Sequence, residues 1–193
     1  MQKLLNFSDL TKDQKQELER VGILRMKSGE SFLTNYFLVY GTLRLGMGNW
    51  AWCFNKRTKH IATLELPGFL KSRGISCEFT GDTSHVTVFD LFQVTDEFDR
   101  INAETDALEG VKYDAYRACA VRINLEDGPI IAKFYEAPWS SAEQKAAKNP
   151  KGDYVGNVYK TYSSDLKERL KQEAPKAYEY YFKEEVEQEK ITE

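Results

Sequence analysis

Residues 36–40, Tyr-Phe-Leu-Val-Tyr, form a continuous apolar and aromatic run in a chain that elsewhere mixes polar and apolar positions. The run predicts a buried strand. It leads into Gly41-Thr42-Leu43-Arg44-Leu45-Gly46-Met47-Gly48-Asn49, a loop with three glycines in eight positions. Upstream, Thr11 with Gln14 three residues later has the form of a capping box, and Gly22 can end the helix it opens. Residues 60–66 alternate loosely until Pro67-Gly68 bends the chain before Phe69-Leu70, which predicts two short strand pieces. A third strand is expected over Val86–Val94. A short helix capped by Thr95 should follow, then a polar break before Asp106-Ala107-Leu108-Glu109-Gly110. Two more strands, Tyr116–Ile123 and Ile130–Tyr135, flank Glu126-Asp127-Gly128-Pro129, where Asp-Gly marks a hairpin. Helical spacing returns from Ser164 to about Ala174, and Pro175 kinks that helix or opens another.

The link near residue 127 is too short for a parallel crossover, so an all-parallel alternating fold is excluded. The expected class is α+β: about six short strands, with a small closed barrel as one form, and helices at both ends. One domain covers residues 1–193, with helical extensions over 1–30 and 164–193.

Composition narrows the partners. With 27 Lys and Arg against 30 Asp and Glu, the net charge is −3, and no basic patch interleaved with aromatics marks a nucleic-acid surface. Residues 176–193 hold six acids and three bases, so everything before them is balanced. No run of 18 apolar residues predicts a membrane span, and residues 1–10 lack the apolar stretch of a secretion signal, so a cytoplasmic location is expected. Cys53, Cys77 and Cys119 are scattered and odd in number, as buried reduced thiols would be. His60 and His85 each stand apart from other ligands, so neither a metal site nor a Cys–His pair is predicted.

Two segments could carry chemistry. N–H groups beside the glycines of the 41–48 loop can form a concavity for carboxylate or phosphate, although a tight surface turn would look the same in sequence. The loop fits neither the P-loop nor the dinucleotide pattern. Glu109, between Leu108 and Gly110, is either a carboxylate held at the mouth of a core, with a raised pKa and a role as general base, or an exposed helix-end acid. Asp90, Asp96, Asp99 and Asp106 read as solvated or capping acids, with Asp106 placed to share a helix face with Glu109. Trp50, Trp52, Trp139, Tyr113 and Tyr116 either rim a pocket or fill the core.

Taken together, Val39-Tyr40-Gly41-Thr42-Leu43-Arg44-Leu45-Gly46 and the later Asp106–Gly110 with Tyr116-Arg117 resemble the two hallmarks of the gamma-glutamylcyclotransferase-like superfamily, in particular its gamma-glutamylamine cyclotransferase branch. Ala62–Leu70, Val88–Phe92, Ala132–Tyr135 and Gly152-Asp153-Tyr154 extend the likeness over about 36–156. The resemblance implies a small mixed β-barrel with flanking helices. It also implies a pocket in which Tyr40, Gly41, Thr42 and Leu43 bind the α-amino and α-carboxylate groups of a γ-glutamyl unit. Glu109 falls on the family's essential acid, and Tyr116 on a tyrosine that orients carboxylate or ligand. The implied reaction releases 5-oxoproline and a free amine without metal or cofactor. Thr42 keeps the hydroxyl of a serine found in several relatives, and Ala118 replaces the second arginine of a Tyr-Arg-Arg pattern. The alternative is a non-catalytic protein that holds a small acidic ligand or a protein partner on the same scaffold. The terminal helices are the surfaces expected for such a partner or for self-association.

Overall fold

The computed structural model describes residues 3–71, 77–137 and 151–152, with individual positions between 167 and 187. In chain order the elements are β1 (Lys3–Leu5), α1 (Lys12–Val21), β2 (Ile23–Arg25), β3 (Glu30–Phe32), β4 (Tyr36–Val39), α2 (Gly48–Cys53), β5 (Thr58–Pro67), β6 (Phe69–Lys71), β7 (Cys77–Phe79), β8 (Val86–Val94), α3 (Phe98–Leu108), β9 (Arg117–Leu125), β10 (Gly128–Glu136) and β11 (Lys151–Gly152).

Alternation along the central strands sorts side chains to two faces, as the period of two requires. Leu38, Leu91, Cys119, Val121, Ala132 and Phe134 go to an inner cluster. Phe37, Val39, Phe92, Ala118, Ala120 and Tyr135 go to an outer one. The inner cluster is knit by aromatic edges: Phe69, Phe89 and Phe134 meet mutually with ring centroids 5.1–5.9 Å apart, and Tyr40 joins at 5.7 Å from Phe134. The outer cluster packs under α1 and α3 through Leu18 and Ile101, and it also takes in Tyr178 and Phe182.

The fold is α+β and the sheet is mixed. β8 pairs antiparallel with both β4 and β5. β10 lies parallel to β4 and antiparallel to β9, and β2 extends the far edge. The expected closure does not occur: among the described residues no ladder joins β2 to β5, so the sheet stays open rather than closing into a barrel. Side chains span the seam instead. The antiparallel β6–β7 pair places Phe69 and Phe79 beside Leu64, Val121 and Ile123, and Arg25 on β2 bonds the Phe79 carbonyl at 2.9 Å. Arg25 also forks onto Glu136 at 2.6 and 2.8 Å, clamping the edge strand to β10.

Local signals act largely as expected. Thr11 and Gln14 bond reciprocally at 3.2 and 2.9 Å, and α1 ends at Gly22 with φ +83°. The 127 hairpin is shifted by one residue: Glu126 and Asp127 form the loop, and Gly128 already pairs with Leu125.

The segment after β8 needs correction. One continuous helix, α3, runs from Phe98 to Leu108 with Glu97 as its cap, where a Thr95-capped helix and a polar break were expected. The polar residues that suggest a break are its buried side. Asn102 donates from Nδ2 to the Phe98 carbonyl at 3.0 Å and Thr105 to that of Ile101 at 2.7 Å, so their donors are used within the helix. Trp50 is core, whereas Trp52 and Tyr113 are 56% and 79% exposed and rim nothing. All three cysteines are buried free thiols. Trp139, Asp153, Tyr154 and most of 164–193 lie outside the described residues. Among the described residues, no helix is long and apolar enough to cross a membrane.

Candidate active site

β4 delivers the chain to Tyr40, whose ring enters the inner cluster and whose hydroxyl donates to the Tyr135 carbonyl on β10 at 2.9 Å. Gly41, at φ +58°, then turns the backbone into a single 3-10 turn over Gly41–Leu43. The Leu43 N–H is used by the turn itself, bonding the Tyr40 carbonyl at 3.3 Å. The N–H groups of Gly41 and Thr42 open the turn and have no acceptor within it.

This loop is fastened from below by a feature the sequence does not announce. Arg44 is fully buried and forks onto Asp90 of β8, Nε to Oδ2 at 3.1 Å and Nη2 to Oδ1 at 3.2 Å. The Leu45 N–H adds a third bond at 3.1 Å. Thr63 donates to the same carboxylate at 2.8 Å, and His60 lies 3.5 Å from it. Asp90 is therefore not the solvated acid expected. Burial alone would raise its pKa, but the Arg44 charge, with hydrogen bonds from His60 and Arg44, holds it well below the ordinary carboxylate range.

Glu109 arrives from the other side, at the C-terminal end of α3. Its own N–H still bonds the Thr105 carbonyl at 3.0 Å, and its carbonyl accepts the Tyr116 N–H at 3.1 Å, which closes the short link into β9. Gly110 makes that link possible: it sits at φ +60°, and a Cβ there would lie 2.9 Å from the Cβ of Ala115. Gly110→Ala is expected to cost about 2–3 kcal/mol through strain and clash. Gly41→Ala, whose added Cβ meets nothing within 4 Å, should cost only about 1–2 kcal/mol. Denaturant unfolding of the two variants checks the order.

Asp106, one helical turn before Glu109, is also buried, contrary to the solvated or capping role expected. Its Oδ1 accepts from Tyr135 at 2.7 Å, Ser31 at 2.9 Å and Lys133 at 3.1 Å. Burial lowers the Lys133 ammonium to about 8 despite this partner. The network locks α3 to β10 and holds Glu109 at a fixed height over the sheet end.

The two approaches meet in one cavity of about 240 Å³. Of the residues singled out from sequence, Tyr40, Thr42, Leu43, Glu109 and Tyr116 line it; Gly41 is buried in the loop behind. Leu38, Val39, Leu108, Tyr135 and Asn49 complete the wall. Asn49 closes the glycine-loop segment in sequence, and Tyr135 is an outward-facing residue of a predicted strand, so position alone gave neither a ligand-facing signature. Among the described residues, Glu109 is the one charged side chain in this wall. Burial pushes its carboxyl up to about 7. Burial, together with the Glu109 charge, raises the Tyr116 phenol to about 12, so it stays protonated near neutrality.

An open mixed sheet thus carries at one end a glycine turn and a carboxyl whose pKa burial raises, both lining a cavity of small-molecule size. The chain belongs to the gamma-glutamyl cyclotransferase, AIG2-like family, whose profile matches residues 37–156. Similar solved structures include YkqA from Bacillus subtilis, 19% identical, with 67% of this chain and 43% of that one covered and a TM-score of 0.48. An AIG2-like protein from Mus musculus is 15% identical, with 64% and 90% covered and a TM-score of 0.48. An uncharacterised protein from Pyrococcus horikoshii is 17% identical, with 66% and 95% covered and a TM-score of 0.41. This chain therefore spans less than half of YkqA. No curated protein matches the sequence.

Proposed function

We propose that the chain is a γ-glutamyl cyclotransferase that converts a γ-glutamyl amine or peptide into 5-oxoproline and a free amine, with Glu109 as general acid/base. The observation that carries this reading is the placement of Glu109, raised to about 7, in the same cavity as the Tyr40–Leu43 loop. Ring closure is intramolecular: the substrate's α-nitrogen attacks its own γ-carbonyl carbon, and the bond from that carbon to the departing nitrogen breaks. A tethered nucleophile needs chiefly to be folded into the attacking geometry.

Proton traffic is what the protein must supply. The α-ammonium has to lose a proton before it can attack, and the departing nitrogen has to gain one before it can leave. Glu109 takes the first and returns it to the second, which is most efficient for a group whose pKa lies near the working pH. The ring nitrogen sheds its second proton as it becomes an amide, and the released amine carries it away. No water is consumed and no electron changes hands, so the reading calls for no metal or cofactor. Within it, the N–H groups of Gly41 and Thr42 hold the α-carboxylate, and the Tyr116 phenol lies beside the carboxyl it helps to orient.

Incubation with a panel of γ-glutamyl amines and dipeptides should release 5-oxoproline, measured by chromatography. No product from any of them would remove the proposal. Where product forms, kcat/KM should fall about tenfold per pH unit below about 7, because the base must be ionised in the free enzyme. It should level off above that value.

A further inference from the structure

Among the described residues the cavity wall has one acid and no cation, yet a γ-glutamyl substrate carries both an ammonium and a carboxylate. Glu109 suits the ammonium, so the carboxylate has to be met by neutral donors. Thr42 offers one of these, and its neighbour decides where that donor points. Asn49, in the first turn of α2, donates from Nδ2 to the Thr42 hydroxyl oxygen at 2.8 Å, and both side chains line the cavity. An amide N–H can only donate, so in this contact the hydroxyl is the acceptor and keeps its own proton for a second partner.

We propose that Asn49 is a positioning residue for substrate: it turns the Thr42 hydroxyl so that its proton meets the α-carboxylate of the γ-glutamyl unit. The inference rests on the cyclotransferase reading above. A donor already aimed at an anion forms a stronger bond than one that must first reorient. The pair is rigid, because Thr42 belongs to the turn fastened through Arg44 to Asp90, and Asn49 belongs to the helix that begins at Gly48. The cavity thus has two poles, Glu109 for the ammonium and Thr42 with Asn49 for the carboxylate. Substrate is held in one orientation between them.

The test is steady-state 5-oxoproline release by the full chain. Asn49→Ala should raise KM about tenfold, the usual loss for one hydrogen bond to a charged group, with kcat nearly unchanged. Asn49→Asp should raise it further, since a carboxylate would take the Thr42 proton and repel the ligand's own carboxylate. Thr42→Ser, which keeps the hydroxyl, should raise KM far less than Thr42→Val. The double variant Asn49→Ala/Thr42→Val should be no worse than Thr42→Val alone, because the amide acts through the hydroxyl. Additive effects in that pair, or a kcat loss in Asn49→Ala that tracks a lowered melting temperature, would reduce Asn49 to a structural role. If wild type turns over in a Glu109-dependent way but Asn49→Ala keeps the wild-type KM, this inference alone fails. If wild type releases no 5-oxoproline, it falls together with the cyclotransferase reading.

Discussion

Glu109→Gln is expected to lower 5-oxoproline release by about 10²–10⁴-fold, the range that a positioned general acid/base supplies. The substitution keeps the shape and polarity of the side chain but can neither accept the α-ammonium proton nor return one. The loss should therefore fall mainly on kcat, with a smaller rise in KM because the substrate ammonium also loses its counter-charge. Stability should move the other way. The folded protein holds the Glu109 proton up to about 7, against an ordinary value of 4.5, so the favourable contribution of the protonated form is full below about 4.5 and is lost as pH rises through about 7. A glutamine is neutral throughout. At pH 8 the variant should be more stable than wild type by up to ~3 kcal/mol, and by less where solvent reaches the cavity mouth. Near pH 4 the two should be alike. Urea denaturation of both proteins at both pH values checks this; a difference between variant and wild type that is the same at pH 4 and pH 8 would mean the carboxyl is not strained by burial. A residue that costs stability in the state needed for chemistry is the expected mark of a functional group.

The second large effect concerns the fastening beneath the loop. Arg44→Met should destabilise the fold by about 3–5 kcal/mol, because it leaves the enclosed Asp90 carboxylate without its guanidinium partner. For a chain of this size that lowers the melting temperature by roughly 10 °C. Arg44→Met combined with Asp90→Leu should recover much of the loss, since removing both charges also removes their desolvation cost. Calorimetry on the two variants separates the outcomes; equal damage in both would mean that the bonds from Leu45 and Thr63, rather than the ion pair, carry the effect. The half-recovered variant should still turn over poorly, because the turn that presents Thr42 would have lost its anchor to β8.

The parts of the fold visible in sequence are those whose signals are local. The 36–40 run, the alternation of 86–94 and the Asp-Gly near 127 each declare an element within ten residues. Thr11 with Gln14 and Gly22 bracket α1 from both ends. Glu109 and the glycine loop were legible as a pair through their resemblance to a known family. The buried charges were not. Asp90 shares its strand face with Val88, Phe92 and Val94, and nothing nearby in the sequence reveals the charge that meets it there. Its partner Arg44 is 46 residues away. Asp106 and Lys133 are likewise 27 residues apart, and each reads alone as an ordinary surface charge. The barrel expectation failed for a related reason: strand count is local, whereas closure depends on whether β2 and β5 come within bonding distance.

β4 stands between β8 and β10, with one neighbour antiparallel and the other parallel, and those neighbours come from residues about 50 and 95 positions further on. The first-formed wall of the cavity therefore waits for the last-made one. Tyr135 arrives with β10, and its carbonyl is what holds the Tyr40 ring in place. During synthesis, the strand bearing the glycine loop emerges early but stays unpaired on one side until most of the chain has left the ribosome. Pairings so distant in sequence are slow to form. The cavity wall is therefore complete only when β10 has joined β4, so a chain that ends before residue 135 lacks part of the cavity that holds Glu109.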